Sequence, residues 1–250
     1  MRYALQTKNQ LINPQTHKLK KNMRIAVIVA MEKEFRQLRT LLADASEEDF
    51  GGTKFVCGNM AGNEVVMMQC GIGKVNAAIG TTRMILHYSP DLVISTGVAG
   101  GADVSMNVMD VVVSTECVYH DVYCGKECQF GQIMGLPARF VSPADVVEKA
   151  SKIKHEGGEI HAGLIVTGDW FVDSKEKMQS ILGKFPEAKA VDMESCSIAQ
   201  TCHVCGVPFV SFRIISDIPL KDTDASQYFD FWERMAEGSF EVTKNFLETF

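Results

Sequence analysis

Short apolar runs of two different periods alternate along this chain. RIAVIVA, residues 24–30, is continuously apolar and β-branched, the pattern of a strand buried on both faces. EKEFRQLRTLL (32–42) changes period, with apolar residues at 35, 38, 41 and 42, a helical spacing. Strand-like TKFVCGN (53–59) and EVVMMQC (64–70) follow, then a glycine turn, GIG, and the helical KVNAAIGTTRMILHYS (74–89). PDLVISTGVAGG (90–101), DVVVSTECVYH (110–120), AGLIVTGD (162–169) and PFVSFRIISD (208–217) read as further strands. AKAVDM (188–193) is a short apolar approach to another helix-like run. The alternation, with its strand-rich middle, predicts a single α/β domain. Its sheet should be mixed, largely parallel and flanked by helices, with a crevice outside the carboxyl ends of the strands.

Composition agrees with one domain. The 250 residues are 46% hydrophobic and 22% charged, enough to bury a large core. A net charge of −6 and a pI near 5.6 argue against a nucleic-acid surface, which needs a clustered basic face. Residues 1–22 differ in character: Arg2, Lys8, Lys18, Lys20 and Lys21 are basic, no residue is acidic, and Gln and Asn are frequent beside Pro14. They are expected to form a disordered extension, with the folded domain spanning 23–250. The sequence has neither the apolar core of a secretory signal nor an uninterrupted apolar stretch of about 20 residues, so no membrane contact and a cytoplasmic location are expected. The eight cysteines are then expected to be reduced. CHVC (202–205) lacks the second ligand pair of a structural zinc site, so neither metal nor cofactor is expected.

Three acids stand where strands end: Glu34 after the first strand, Glu194 after AKAVDM, and Asp217 closing FVSFRIISD. Each has an ordinary explanation, as a first-turn acid favoured by the helix dipole or as a turn cap. CGIGKVNAAIG half resembles a dinucleotide fingerprint, but Asn76 stands where the third glycine belongs, and no acid closes the next strand. It also fails as a phosphate loop of the Walker type. What remains is a tight turn presenting Ile72 to the crevice.

Taken together, AVIVAMEKEF, CGIGKVNAA, STGVAGG, VYHD, LIVTGDWFV, AVDMESCSIAQTC and SFRIISD, in this order and at these separations, resemble the 5'-methylthioadenosine/S-adenosylhomocysteine nucleosidase family. The likeness runs from Met23 nearly to the end. It implies the nucleoside phosphorylase-like fold, hydrolysis of an N-glycosidic bond to adenine, a thioadenosine substrate and a homodimer. By the same resemblance, Glu34 activates water, Glu194 holds the ribose hydroxyls with Met193 against the ribose, and Asp217 addresses the purine. Phe171 and Val172 enclose the adenine, while Met31, Ile72 and Phe229 wall the alkylthio group. Arg213 helps to place the water. Two positions depart from the family pattern: Val98 replaces a serine that also contacts the water, and Asp192 replaces a glutamate. Segment 122–131, VYCGKECQFG, diverges most, in a region that the family lends to the neighbouring subunit's pocket.

The chemistry is consistent with these roles. Adenine leaves poorly as an anion, so an acid must protonate it while the sugar becomes oxocarbenium-like. Asp217 can do so only where burial among Phe171, Met193 and Val172 disfavours its charged form. Glu34 must be ionised to accept a proton from water, and Glu194 can accept hydrogen bonds from two vicinal hydroxyls. Asp192 reads as structural, directed away from Glu194. Three alternatives remain open: a phosphorylase of the same fold, a futalosine-type hydrolase, and a non-catalytic nucleotide-binding module.

Overall fold

The computed structural model describes residues 22–221, 226–234 and 241–250. The proposed extension, apart from Asn22, lies outside them. One mixed ten-stranded sheet organises the chain. Its centre is β1 (Arg24–Val29), whose alternate residues serve two cores: Ile25, Val27 and Val29 point to one, Ala26 and Ile28 to the other. This alternation is why RIAVIV reads as continuously apolar. β4 (Asn63–Gln69) and β5 (Leu92–Gly101) flank β1 in parallel, and β10 (Phe209–Asp217) continues in parallel beside β5.

The second half of the chain closes a ring. β6 (Val111–Tyr119) runs antiparallel to β10 and parallel to β8 (Ile160–Thr167), which is itself parallel to β9 (Ala188–Asp192). β9 then returns to the end of β5 through Gly100 and Gly101. Of the ten strand pairings, five are parallel and five antiparallel, so the sheet is mixed but not largely parallel. The difference comes from ring closure, from the two-residue β7 (Phe140–Val141) beside β6, and from the meander β2 (Ala43–Phe50), β3 (Thr53–Met60) and β4. β2 is exposed along its length and carries Asp44, Glu47, Glu48 and Asp49, charges that protect an edge strand from pairing with another chain.

Helices α2 (Lys74–Tyr88) and α5 (Ser195–Cys205) cover one core. α1 (Glu32–Arg39), α3 (Ala144–Ser151), α6 (Ser226–Arg234) and α7 (Glu241–Leu247) contribute to the other. α4 (Lys175–Leu182) packs on β8 in a third, smaller cluster. Among the described residues no helix is long and apolar enough to cross a membrane.

Candidate active site

The carboxyl ends of β1, β5, β9 and β10 surround an open cavity, about 650 Å³ of space counting the solvent at its mouth. Every site residue expected from sequence lines it except Phe229. Phe229 is 59% exposed and turned away, with its ring 5.5 Å from that of Tyr228, and it is Tyr228 that lines the cavity. One residue on a helix turns the side chain by about 100°, so the neighbour of the residue named by the resemblance is the one that faces the cavity. Tyr228 meets Phe171 edge-on at 5.2 Å, and its hydroxyl lies 3.9 Å from Met31 Sδ. Val172 is buried, while Ile72 and Phe171 remain half exposed.

Glu34 is buried in the first turn of α1. Its Oε2 accepts the N–H groups of Ala30 (3.2 Å) and Met31 (2.9 Å), and Oε1 accepts that of Val98 (3.0 Å). The ordinary reading, a first-turn carboxylate serving its own helix end, is therefore true of this residue as well. Val98 acts through its backbone N–H, which does not depend on its side chain. Burial raises the Glu34 pKa above the usual carboxylate value, opposed by the nearby Arg213 charge and the three N–H donors. A raised value makes its anion a stronger base than an ordinary carboxylate.

Arg213 is fully buried on β10, directly across from Gly97 of β5 in the parallel register. A Cβ on Gly97 would stand 2.4 Å from Glu34 Oε1 and 2.8 Å from Arg213 Nη1, and its φ of +145° also favours glycine. The missing side chain is what lets the carboxylate and guanidinium approach each other. Arg213 Nε pairs with Asp192 Oδ2 at 2.8 Å, and Nη2 lies 3.7 Å from Glu194 Oε2. The guanidinium also donates to Ser95 Oγ (2.9 Å) and Thr96 O (3.2 Å).

Asp192 and Glu194 thus face the same arginine, contrary to the expectation that Asp192 points away. β9 ends at Asp192, and Glu194 is already the residue preceding α5, so strand alternation no longer orients its side chain. Asp192 is further held by Thr167 Oγ1 (2.6 Å) and by Ser195, whose hydroxyl donates to Oδ2. Glu194 Oε1 accepts the N–H of Gly73 at 2.9 Å, so the glycine turn does more than present Ile72: its amide grips the acid. Burial pushes the Glu194 pKa up to about 7, with Arg213 pulling it down and Asp192 pushing it further up.

Asp217 ends β10 beside Gly100, at a register shift between Ile215 and Asp217. It is buried, and the Ser216 hydroxyl donates to Oδ1 at 2.6 Å. Met193 lies between Asp192 and Glu194 on the wall. Sequence reasoning also missed Trp170, Tyr228 and Ser216 as lining residues. Each adjoins a residue that was singled out, so the motifs were located correctly but read too narrowly.

A sequence model of the phosphorylase superfamily matches residues 24–250. A 5'-methylthioadenosine/S-adenosylhomocysteine nucleosidase of Bacillus thuringiensis is 44% identical over 207 residues, 82% of this chain and 90% of that protein. The chain belongs to the 5'-methylthioadenosine/S-adenosylhomocysteine nucleosidase family. Among solved structures, the nucleosidase of Neisseria meningitidis in complex with methylthio-immucillin-A is 38% identical, with a TM-score of 0.85 over 91% of this chain and all of that one. Futalosine hydrolase of Helicobacter pylori shares the fold at 29% identity, with a TM-score of 0.82 over 91% of this chain and 98% of that one. The single-domain α/β fold expected from sequence is the fold of this nucleosidase family.

The raised Glu194 pKa has a consequence for stability. A carboxyl whose folded value lies above its unfolded value of about 4.5 contributes stability below 4.5, and that contribution is lost as pH rises through about 7. Glu194→Gln escapes that loss and keeps an acceptor for Gly73. Its melting temperature, relative to the parent, should rise by about 5–10 °C between pH 5 and pH 8, because a carboxyl moved from about 4.5 to about 7 loses roughly 2–3 kcal/mol across that window, at about 2–4 °C per kcal/mol in a chain of this size. A difference that stayed constant across this range would show that Glu194 ionises normally.

Proposed function

We propose that this protein hydrolyses the N-glycosidic bond of 5'-methylthioadenosine and S-adenosylhomocysteine, releasing adenine and the corresponding thioribose. The observation that carries this reading over a phosphorylase is the charge of the cavity. Its described lining holds four carboxylates, Glu34, Asp192, Glu194 and Asp217, against one guanidinium, Arg213, which is already paired with Asp192. Asp217 must carry a proton to act as the acid and Glu194 titrates near 7, so the cation decides. The described lining offers an anionic nucleophile such as phosphate no unpaired positive charge, while water and an oxocarbenium-like sugar need none.

In this mechanism Asp217 gives a proton to the departing base. Glu34, held by three backbone N–H groups, takes a proton from the attacking water. Glu194 accepts hydrogen bonds from the ribose hydroxyls with Met193 against the sugar, and Arg213 holds the acids in place and helps to position the water. Phe171 and Val172 enclose adenine. Met31, Ile72 and Tyr228, the last in place of Phe229, form the apolar wall for the alkylthio group. No metal or cofactor enters these steps. The sequence relationship favours thioadenosines over futalosine-type nucleosides, because among the solved structures the Neisseria meningitidis nucleosidase is 38% identical and the futalosine hydrolase 29%. Loss of one of the acids would suit a binding module; all three line the cavity.

The protein acts as a homodimer in this account. Val75, Ile79 and Leu86 form an exposed apolar stripe on α2, and Tyr123 and Met134 are exposed in or near the divergent segment 122–131. Burying such a stripe against a second copy is what apolar area of this kind favours. All eight cysteines are free, which suits a reducing, cytoplasmic location.

Incubation with methylthioadenosine in phosphate-free buffer should yield adenine and free methylthioribose, at a rate that added phosphate does not change. Strict phosphate dependence with a sugar 1-phosphate product would overturn the hydrolase reading. Asp217→Asn should lower kcat by on the order of 10²–10⁴ with much less effect on KM, since asparagine can still hydrogen-bond the base but cannot deliver the proton. An unchanged kcat would remove Asp217 from the mechanism.

A further inference from the structure

The backbone amides of Gly73 and Lys74, at the start of α2, hold two carboxylates: Glu194 of the cavity lining and Asp169, which stands beside lining residue Trp170. Gly73 N–H donates to Glu194 Oε1 at 2.9 Å, and Lys74 N–H donates to Asp169 Oδ1 at 2.8 Å. Asp169 is also tied from its other side: its own N–H donates to Asp121 Oδ2 at 2.9 Å. Asp121, just beyond β6, is gripped by Lys74 Nζ at 2.8 and 2.7 Å. Lys74, Asp121 and Asp169 thus form a closed loop of hydrogen bonds joining α2, the end of β6 and the segment that follows β8.

That segment, Gly168 to Val172, carries Trp170, Phe171 and Val172 into the cavity. It has no regular secondary structure, so no helix or sheet ladder fixes its backbone. Gly168 N–H donates to Asp192 O at 3.2 Å, and Lys177 Nζ donates to Phe171 O at 3.2 Å. Under Trp170 lies the buried ring of His120, edge-on at 5.4 Å. Both His120 nitrogens lack a partner among the described residues, so this contact positions the indole by packing and adds no hydrogen bond. Polar anchoring of Asp169 and its immediate backbone therefore comes from the loop with Lys74 and Asp121.

We infer that Asp169 is a positioning residue for the base-enclosing segment, latching it through Lys74 and Asp121 to the same helix end that holds Glu194. The inference rests on the proposed assignment of Phe171 and Val172 to adenine. Base and ribose surfaces are then registered against each other by two adjacent peptide groups, 73 and 74. Asp169 touches no reacting atom in this scheme. Its effect is on the geometry of the rings that enclose the base, and the helix dipole at this end favours its charge.

Calorimetric titration with adenine alone, beside inhibition by methylthioribose, separates this role from a general structural one. Asp169→Ala should weaken adenine binding about ten-fold, weaken methylthioribose less than three-fold, and melt within about 2 °C of the parent. Asp169→Asn, which keeps an acceptor for the Lys74 amide, should stay within about two-fold of the parent for adenine. Lys74→Met should move adenine in the same direction as Asp169→Ala by a smaller factor, and it leaves the base-side segment unmutated. Adenine binding within two-fold of the parent in both Asp169→Ala and Lys74→Met would overturn the latch, as would an equal loss for adenine and methylthioribose. Native protein that failed to bind adenine would remove the base assignment itself, and the latch with it.

Discussion

A single buried guanidinium is shared by the acids of this site. Arg213 is sealed from solvent, and a charge in that position is tolerated only where opposite charge and hydrogen-bond acceptors surround it. Asp192 supplies the direct pair, Glu194 and Glu34 lie close by, and Ser95, Thr96 and Ser195 accept further hydrogen bonds. Removing one partner would leave a buried charge short of compensation, a type of change that typically costs several kcal/mol. The cluster also has too few cations to hold all its carboxylates as ordinary anions. Hence burial raises both Glu34 and Glu194, and Glu194 stands near neutrality.

The sheet is arranged to make this cluster possible. Parallel pairing of β5 with β10 sets Arg213 opposite Gly97, and only a residue without Cβ leaves room for Glu34 and the guanidinium together. The closing of β9 onto β5 brings Asp192 to the same point, and the short step from β9 into α5 turns Glu194 toward the ring's interior. α2 then closes the site by placing its first amides on the carboxylates. Strand order, one glycine, one helix end and the hydroxyls of Thr167, Ser195 and Ser216 together position the four acids.

Much of this was legible in the chain because the central strands are buried on both faces and so read as unbroken apolar runs. β1, β4, β5 and β10 fall within a residue or two of their expected limits for that reason. β2 was not legible: ADASEEDF has no apolar face, since it lies exposed at the sheet edge and owes its form to pairing with β3. At the site, sequence motifs located the acids, but not their partners. The Gly73 and Lys74 amides have no side-chain signature, and the facing of Asp192 toward Arg213 depends on the strand ending where it does. Phe229 and Tyr228 are adjacent aromatics on α6, and only packing decides which of them faces the cavity.

The claim that three carboxylates compete for one buried arginine can be tested by following the Glu194 side-chain carboxyl carbon by ¹³C NMR across pH 3–9, in the native protein and in Asp192→Asn. Native Glu194 should titrate near pH 7. In Asp192→Asn it should move down toward the ordinary glutamate value, because a repelling charge is lost and Arg213 is freed to pair with Glu194. A native Glu194 titrating near pH 4.5, unmoved by that substitution, would contradict the account.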